Sequence, residues 1–148
     1  MVALYTWLKF IHLLSVGAFL FAHGIAGGVG FILRAPVSAT TRGLLRISRA
    51  TGQASYPLLL LVIITGVWMT FADNWGHMVW PWAALVILVL TIGFMGFIAR
   101  PYYLAREAID RSDADVATQL SRTKPALAAA VGAVALVLLF ALMVFKPF

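Results

Sequence analysis

Histidine is the residue type in this sequence with the most chemical reach. With no cysteine among the 148 residues, disulfides, thiolate metal sites, iron–sulfur ligation and a cysteine nucleophile are all excluded, leaving imidazole as the strong nitrogen donor. Three histidines are present, His12, His23 and His77, together with five methionines. His12 and His23 are separated by eleven positions in one apolar run. On a helix, eleven steps of ~100° leave them only ~20° apart around the axis and ~16 Å apart along it. Both therefore face the same way. Counting back from Arg34 at ~1.5 Å per residue puts His23 near mid-membrane and His12 near the outer surface.

Imidazole and thioether together suit heme iron, which accepts His or Met axially, or Cu(I), which favours soft sulfur with imidazole. Met69 ends one apolar run, Met143 ends another, and His77 and Met78 lie in the loop between. The expected metal set is accordingly His12, His77, Met69 and Met78, with Met143 nearby; His12, His23 and His77 are the candidate heme ligands. The plain alternatives are that an interfacial histidine such as His77 bonds water or headgroups, and that the methionines fill gaps in packing. A deeply placed histidine is costly unless partnered. It marks a functional site or an interhelical hydrogen bond.

The elements that must position these residues follow from composition. At 63% hydrophobic and 11% charged residues, the chain is too apolar for an ordinary soluble domain. Four apolar runs, roughly 4–33, 55–71, 80–99 and 126–145, each approach the ~20 residues that cross ~30 Å of hydrocarbon. Lipid leaves backbone polar groups unsatisfied, so each crossing is expected to be a helix, giving an all-α four-transmembrane-helix bundle in a single domain. Pro36, Pro57, Pro81, Pro101, Pro125 and Pro147 are read as marking the edges of the runs. No basic region or small-residue cleavage site frames the first run as a secretory signal, so it is read as a retained helix.

Orientation follows from the basic residues. The first loop holds Arg34, Arg42, Arg46 and Arg49, and the third holds Arg100, Arg106, Arg111, Arg122 and Lys124, against Lys9 and Lys146 on the other side. Basic residues accumulate in cytoplasmic loops, so both termini and the Ala72–Val79 loop are expected outside, in a bacterial cytoplasmic membrane. Tyr5, Trp7, Trp75, Trp80 and Trp82 then form an outer aromatic belt, and Tyr56, Tyr102 and Tyr103 an inner one. The +6 net charge is a topological signal here, with no basic face for nucleic acid. The first loop is expected to carry a short amphipathic helix near Thr41 to Ala50, and the third a solvated helical extension. No acidic or basic residue is expected deep in any span, which argues against a pump or a charged substrate path. Gly17, Gly24 and Gly28 give the first helix a small face that can pack a second copy or a larger membrane complex.

Two stretches, Leu8-Lys9-Phe10-Ile11-His12-Leu13-Leu14 with Ala22-His23-Gly24, and Leu60-Leu61-Val62-Ile63-Ile64-Thr65-Gly66-Val67-Trp68, resemble a family of small bacterial integral membrane proteins. That family looks related to the copper-resistance-D-like group, which includes the HemJ-type protoporphyrinogen oxidases. The resemblance extends through Ala99-Arg100-Pro101-Tyr102-Tyr103 and implies a heme or copper role for His12. The sequence departs from the HemJ type in the buried basic and further histidine positions, so that oxidase activity is not expected. Three functions remain open: heme b binding for electron transfer or heme handling, copper binding at the outer face, and a cofactor-free accessory subunit. Enzyme action by the chain alone has the least support, because no nucleophile constellation is present.

Overall fold

The computed structural model describes residues 2–33 and 37–147, so Arg34 and Pro36 lie outside the described residues. Five α-helices account for nearly all of it: α1 Val2–Ile32, α2 Ala39–Ala72, α3 Val79–Ala108, α4 Asp113–Ser121 and α5 Pro125–Phe145. All but α4 are long and apolar enough to cross a membrane. The chain is a multi-pass membrane protein. Its surface is inverted relative to a soluble bundle, with Phe21, Val89, Leu90, Phe97, Val137 and Val144 all strongly exposed, as a lipid-facing surface requires.

The four spans form two hairpins. Helix α1 packs along α2 and α3 packs along α5, and contact between the hairpins is thinner. The α1 seam consists of Leu8, His12, Ser15, Ala22, Ala26, Val29 and Leu33, all buried. Their steps are of four or three residues, with one whole heptad between Ser15 and Ala22, the 3.5-residue period that keeps one stripe facing a coiled partner. On α2 the buried Thr41, Leu45, Ser48, Gly52 and Ser55 repeat the pattern. The small residues bring the backbones close enough for the Ser48 hydroxyl to donate to the Ala26 carbonyl at 2.7 Å. Residues at this period hold the antiparallel pair together for its full length.

Two boundaries differ from those read in the sequence. The stretch taken as a separate amphipathic helix is the first half of α2, which runs unbroken through Pro57; α3 likewise continues through Pro101 to Ala108. A proline removes one backbone bond and strains one turn, but packing along the seam carries the helix on either side. Helix α2 begins instead at Ser38, whose hydroxyl accepts from Thr41 N–H at 3.2 Å. Helix α4 begins at Ser112, which accepts from Asp115 N–H at 3.3 Å, with Asp113 and Asp115 in its first turn.

The best-buried cluster lies at the arginine-bearing end of the bundle. Val29 and Leu33 of α1, Leu45 of α2, Ala105 of α3 and Val116 and Leu120 of α4 enclose one apolar core with Ile109. The third loop is therefore not a solvated extension. It closes a small cap in which α4 supplies the apolar face. Arg42–Asp113 at 2.5 Å and Arg46–Asp110 at 2.9 Å join α2 to that cap, but all four side chains are about half exposed or more, so each pair contributes at most ~1 kcal/mol.

At the opposite end, Tyr5 packs edge-on against Trp75 at 5.9 Å and Trp75 against Trp80 at 5.3 Å. The Lys146 ammonium sits 3.8 Å from the Trp75 ring centre. These contacts join α1, the α2–α3 turn, α3 and the end of α5 in one aromatic layer.

Candidate functional site

The aromatic layer gives a depth scale. Starting from Tyr5, ~30 Å of hydrocarbon at ~1.5 Å per residue is crossed near Gly24 to Ala26. His12 lies seven residues past Tyr5, ~10 Å deep and within ~5 Å of the midplane. His23 lies ~27 Å from the Tyr5 level, at the far boundary. Both histidines thus lie about half a span closer to the arginine-bearing end than the sequence count placed them. Arg34 was a poor reference because α1 continues for two further turns beyond the hydrocarbon to pack in the α4 cap.

His12 is the deep histidine, and it is held tightly. It is 8% exposed, and its Nδ1 lies 2.9 Å from the Thr65 hydroxyl oxygen on α2. That hydroxyl donates in turn to the Leu61 carbonyl at 2.6 Å. A hydroxyl has one proton, and with that proton on Leu61 the Thr65 oxygen can only accept from the ring. We assign Nδ1 as the protonated nitrogen on this ground. A neutral imidazole then carries its lone pair on Nε2, and the Val62 carbonyl is a further acceptor for the ring. The ring also lies against Gly66, where an added Cβ would come within 3.2 Å of His12 Cε1. Thr65 and Gly66 are therefore the seat of the His12 ring: one sets its tautomer and the other leaves it room. The Lys-Phe-Ile-His stretch of α1 thus meets the Thr-Gly pair of α2.

The other candidates are dispersed. His23 is half-buried and stacks on Phe19 at 5.2 Å, and no described residue hydrogen-bonds its ring. His77 and Met78 are exposed in the α2–α3 turn. Thr65 is seven residues inside the end of α2, so His12 lies ~10 Å below that turn, too far for its ring and that of His77 to share an ion. Met69 is half-buried one turn from Thr65, and Met143 is on α5 with 37% exposure. The outer His/Met set does not converge on His12. Among the described residues no three His, Asp or Glu side chains come together to hold a metal ion.

A second polar site escaped sequence reasoning altogether. Arg106, assigned from sequence to a solvated loop, belongs to α3 and is only 7% exposed. Its Nη2 donates to the Ala26 carbonyl at 3.1 Å and to the Ser48 hydroxyl at 2.6 Å. Tyr102 and Tyr103 stack over the guanidinium at 4.4 and 5.2 Å, and the Tyr102 and Ser48 hydroxyls are 2.8 Å apart. Gly52 makes the slot, since a Cβ there would stand 2.8 Å from Nη1. The assignment of Arg106 to a solvated loop is corrected accordingly, while the residue stays near the end of the hydrocarbon and not deep in a span. The missed signal was the heptad continuing through Ser48 and Gly52, two small residues that leave space for a large third side chain.

These features define a membrane-embedded helical bundle with an oriented, ligand-capable histidine in its interior and a buried arginine at its basic end. Compared with family models, curated proteins and solved structures, the chain matches none.

Proposed function

We propose that this protein is a heme b-binding protein of a bacterial cytoplasmic membrane, acting in electron transfer or heme handling, with His12 as the protein ligand to iron. The observation that carries the reading is the Nδ1–H···Thr65 bond with the Thr65 proton committed to Leu61. Metal-binding histidines almost always donate their second nitrogen in this way, which fixes the ring and raises its basicity. The donor set fits iron on one side through His12 Nε2. No second protein ligand converges on His12 among the described residues, so His12 alone would hold the iron from this chain. When bound, the heme supplies one-electron chemistry; the chain's part is to orient the imidazole and exclude water from it. The resemblance of its sequence to the copper-resistance-D-like group points the same way; the charge distribution further suggests both termini outside and the arginine-rich end in the cytoplasm.

A second reading rests on a different observation. Gly17, Gly24 and Gly28 are exposed, and a Cβ on any of them would meet nothing within 4 Å. That face suits a homodimer or a cofactor-free accessory subunit of a larger complex, in which the His12–Thr65 bond is purely structural. Copper at His12, His77, Met69 and Met78 has less support, given the depth of His12. Heme and copper content per chain, measured on protein purified in mild detergent, separates the three. The heme reading expects one heme per chain or per dimer, lost in His12→Ala; copper without heme, or neither, overturns it.

A further inference from the structure

The Arg106 site has more donors than the protein uses. Of the five N–H bonds of a guanidinium, only those of Nη2 have acceptors, the Ala26 carbonyl and the Ser48 hydroxyl. Nε is fully enclosed without a partner, and Nη1 makes no hydrogen bond to any described residue. No carboxylate among the described residues pairs with it either, although Asp110 and Asp113 of the neighbouring cap are paired with Arg46 and Arg42. A buried positive charge balanced only by neutral dipoles and two aromatic faces is costly, and an anion in contact with it removes most of that cost.

Depth tells which anion is at hand. Arg106 grips Ala26, ~31 Å along α1 from the Tyr5 level, which is where the hydrocarbon ends and lipid phosphates begin. Arg49, Arg100 and Arg111 are exposed at the same end and raise the local concentration of anionic lipid. Tyr103, hydrogen-bonded to Tyr56, stacks over the guanidinium as a further polar group.

We propose that Arg106 is the core of a binding site for the phosphate of an anionic phospholipid in the leaflet at the arginine-bearing end. The lipid phosphate contacts Nη1, which unlike Nε is not fully enclosed, on the side away from the buried Gly52, and its net negative charge is the counter-ion that the chain itself withholds. The site is independent of the heme reading, because it lies ~20 Å along α1 from His12.

The test uses the full chain in nanodiscs, comparing phosphatidylcholine alone with phosphatidylcholine containing phosphatidylglycerol, and reads lipid retention by native mass spectrometry after release. Wild type is expected to retain phosphatidylglycerol over phosphatidylcholine. Arg106→Gln is expected to lower that preference about tenfold, the loss of one charge-assisted contact. Because Arg106→Gln can also unfold the junction, Gly52→Ala is the second variant: it keeps the charge, crowds Nη1, and is expected to lower retention with the helices intact. Equal retention in wild type and both folded variants overturns the proposal. Inorganic phosphate displacing the lipid at equal concentration overturns the lipid as the occupant.

Discussion

Replacing Thr65 with valine removes one oxygen and little else, so its effect can be worked out from the geometry. Valine has the shape of threonine, and the Leu61 carbonyl that loses the Thr65 hydroxyl is still the acceptor of the helix ladder, so α2 itself is little affected. The loss falls on His12. Its Nδ1–H loses the Thr65 oxygen in a seam where the side chain is 8% exposed and water has little entry, and keeps only the Val62 carbonyl as an acceptor. An unsatisfied buried donor costs about 1–3 kcal/mol in water-soluble proteins, whereas interhelical bonds in membranes average ~0.6 and reach ~1.7 kcal/mol. The expected destabilisation is thus about 1 kcal/mol, nearly all of it as coupling to His12. The assay is a double-mutant cycle of Thr65→Val and His12→Ala, by reversible unfolding in mixed micelles. Gly66→Ala gives an independent check, since its methyl stands 3.2 Å from His12 Cε1 and must push the ring off the same seat. A coupling energy indistinguishable from zero would refute both the hydrogen bond and the tautomer assigned from it.

Other consequences follow from the cap and the topology. Leu45→Ala, at a fully enclosed position in the apolar cluster, is expected to cost about 2–5 kcal/mol by thermal or denaturant unfolding. Ser48→Ala strips an acceptor from Arg106 Nη2 and a partner from Tyr102, and is expected to cost about 1–3 kcal/mol, visible as a lowered Tm. By contrast, Asp113→Asn breaks an exposed ion pair and is expected to cost no more than ~1 kcal/mol, less still at high salt. The chain lacks cysteine, so single cysteines placed at Gly76 and at Asp115 can be labelled with an impermeant maleimide on intact cells. Labelling of the first alone is expected; labelling of the second alone reverses the orientation.

The four spans were legible because lipid imposes length and hydropathy on each of them, and Trp75, Trp80 and Lys146 lie at the end that the charge count assigned to the outside. The limits of α2 and α3 were not. Pro57 and Pro101 read as stops, but a proline inside a long helix is overruled when residues on both sides share one packed seam. Arg106 was hidden by the same error, because a basic residue after a proline reads as loop while the pocket that receives it is contributed by Ala26, Ser48 and Gly52 on two other helices. His12 was identified from sequence; its partner was not, because Thr65 is separated from it by 53 positions and a threonine in a membrane helix ordinarily satisfies its own backbone, as Thr65 also does through Leu61.

The most direct test of the account is the optical spectrum of the detergent-purified protein from heme-sufficient cells, oxidised and dithionite-reduced, compared with His12→Ala and His23→Ala. The account predicts a Soret band and a reduced α-band that persist in His23→Ala and disappear in folded His12→Ala. A spectrum without heme bands in wild type, or bands unchanged by the loss of His12, would contradict it.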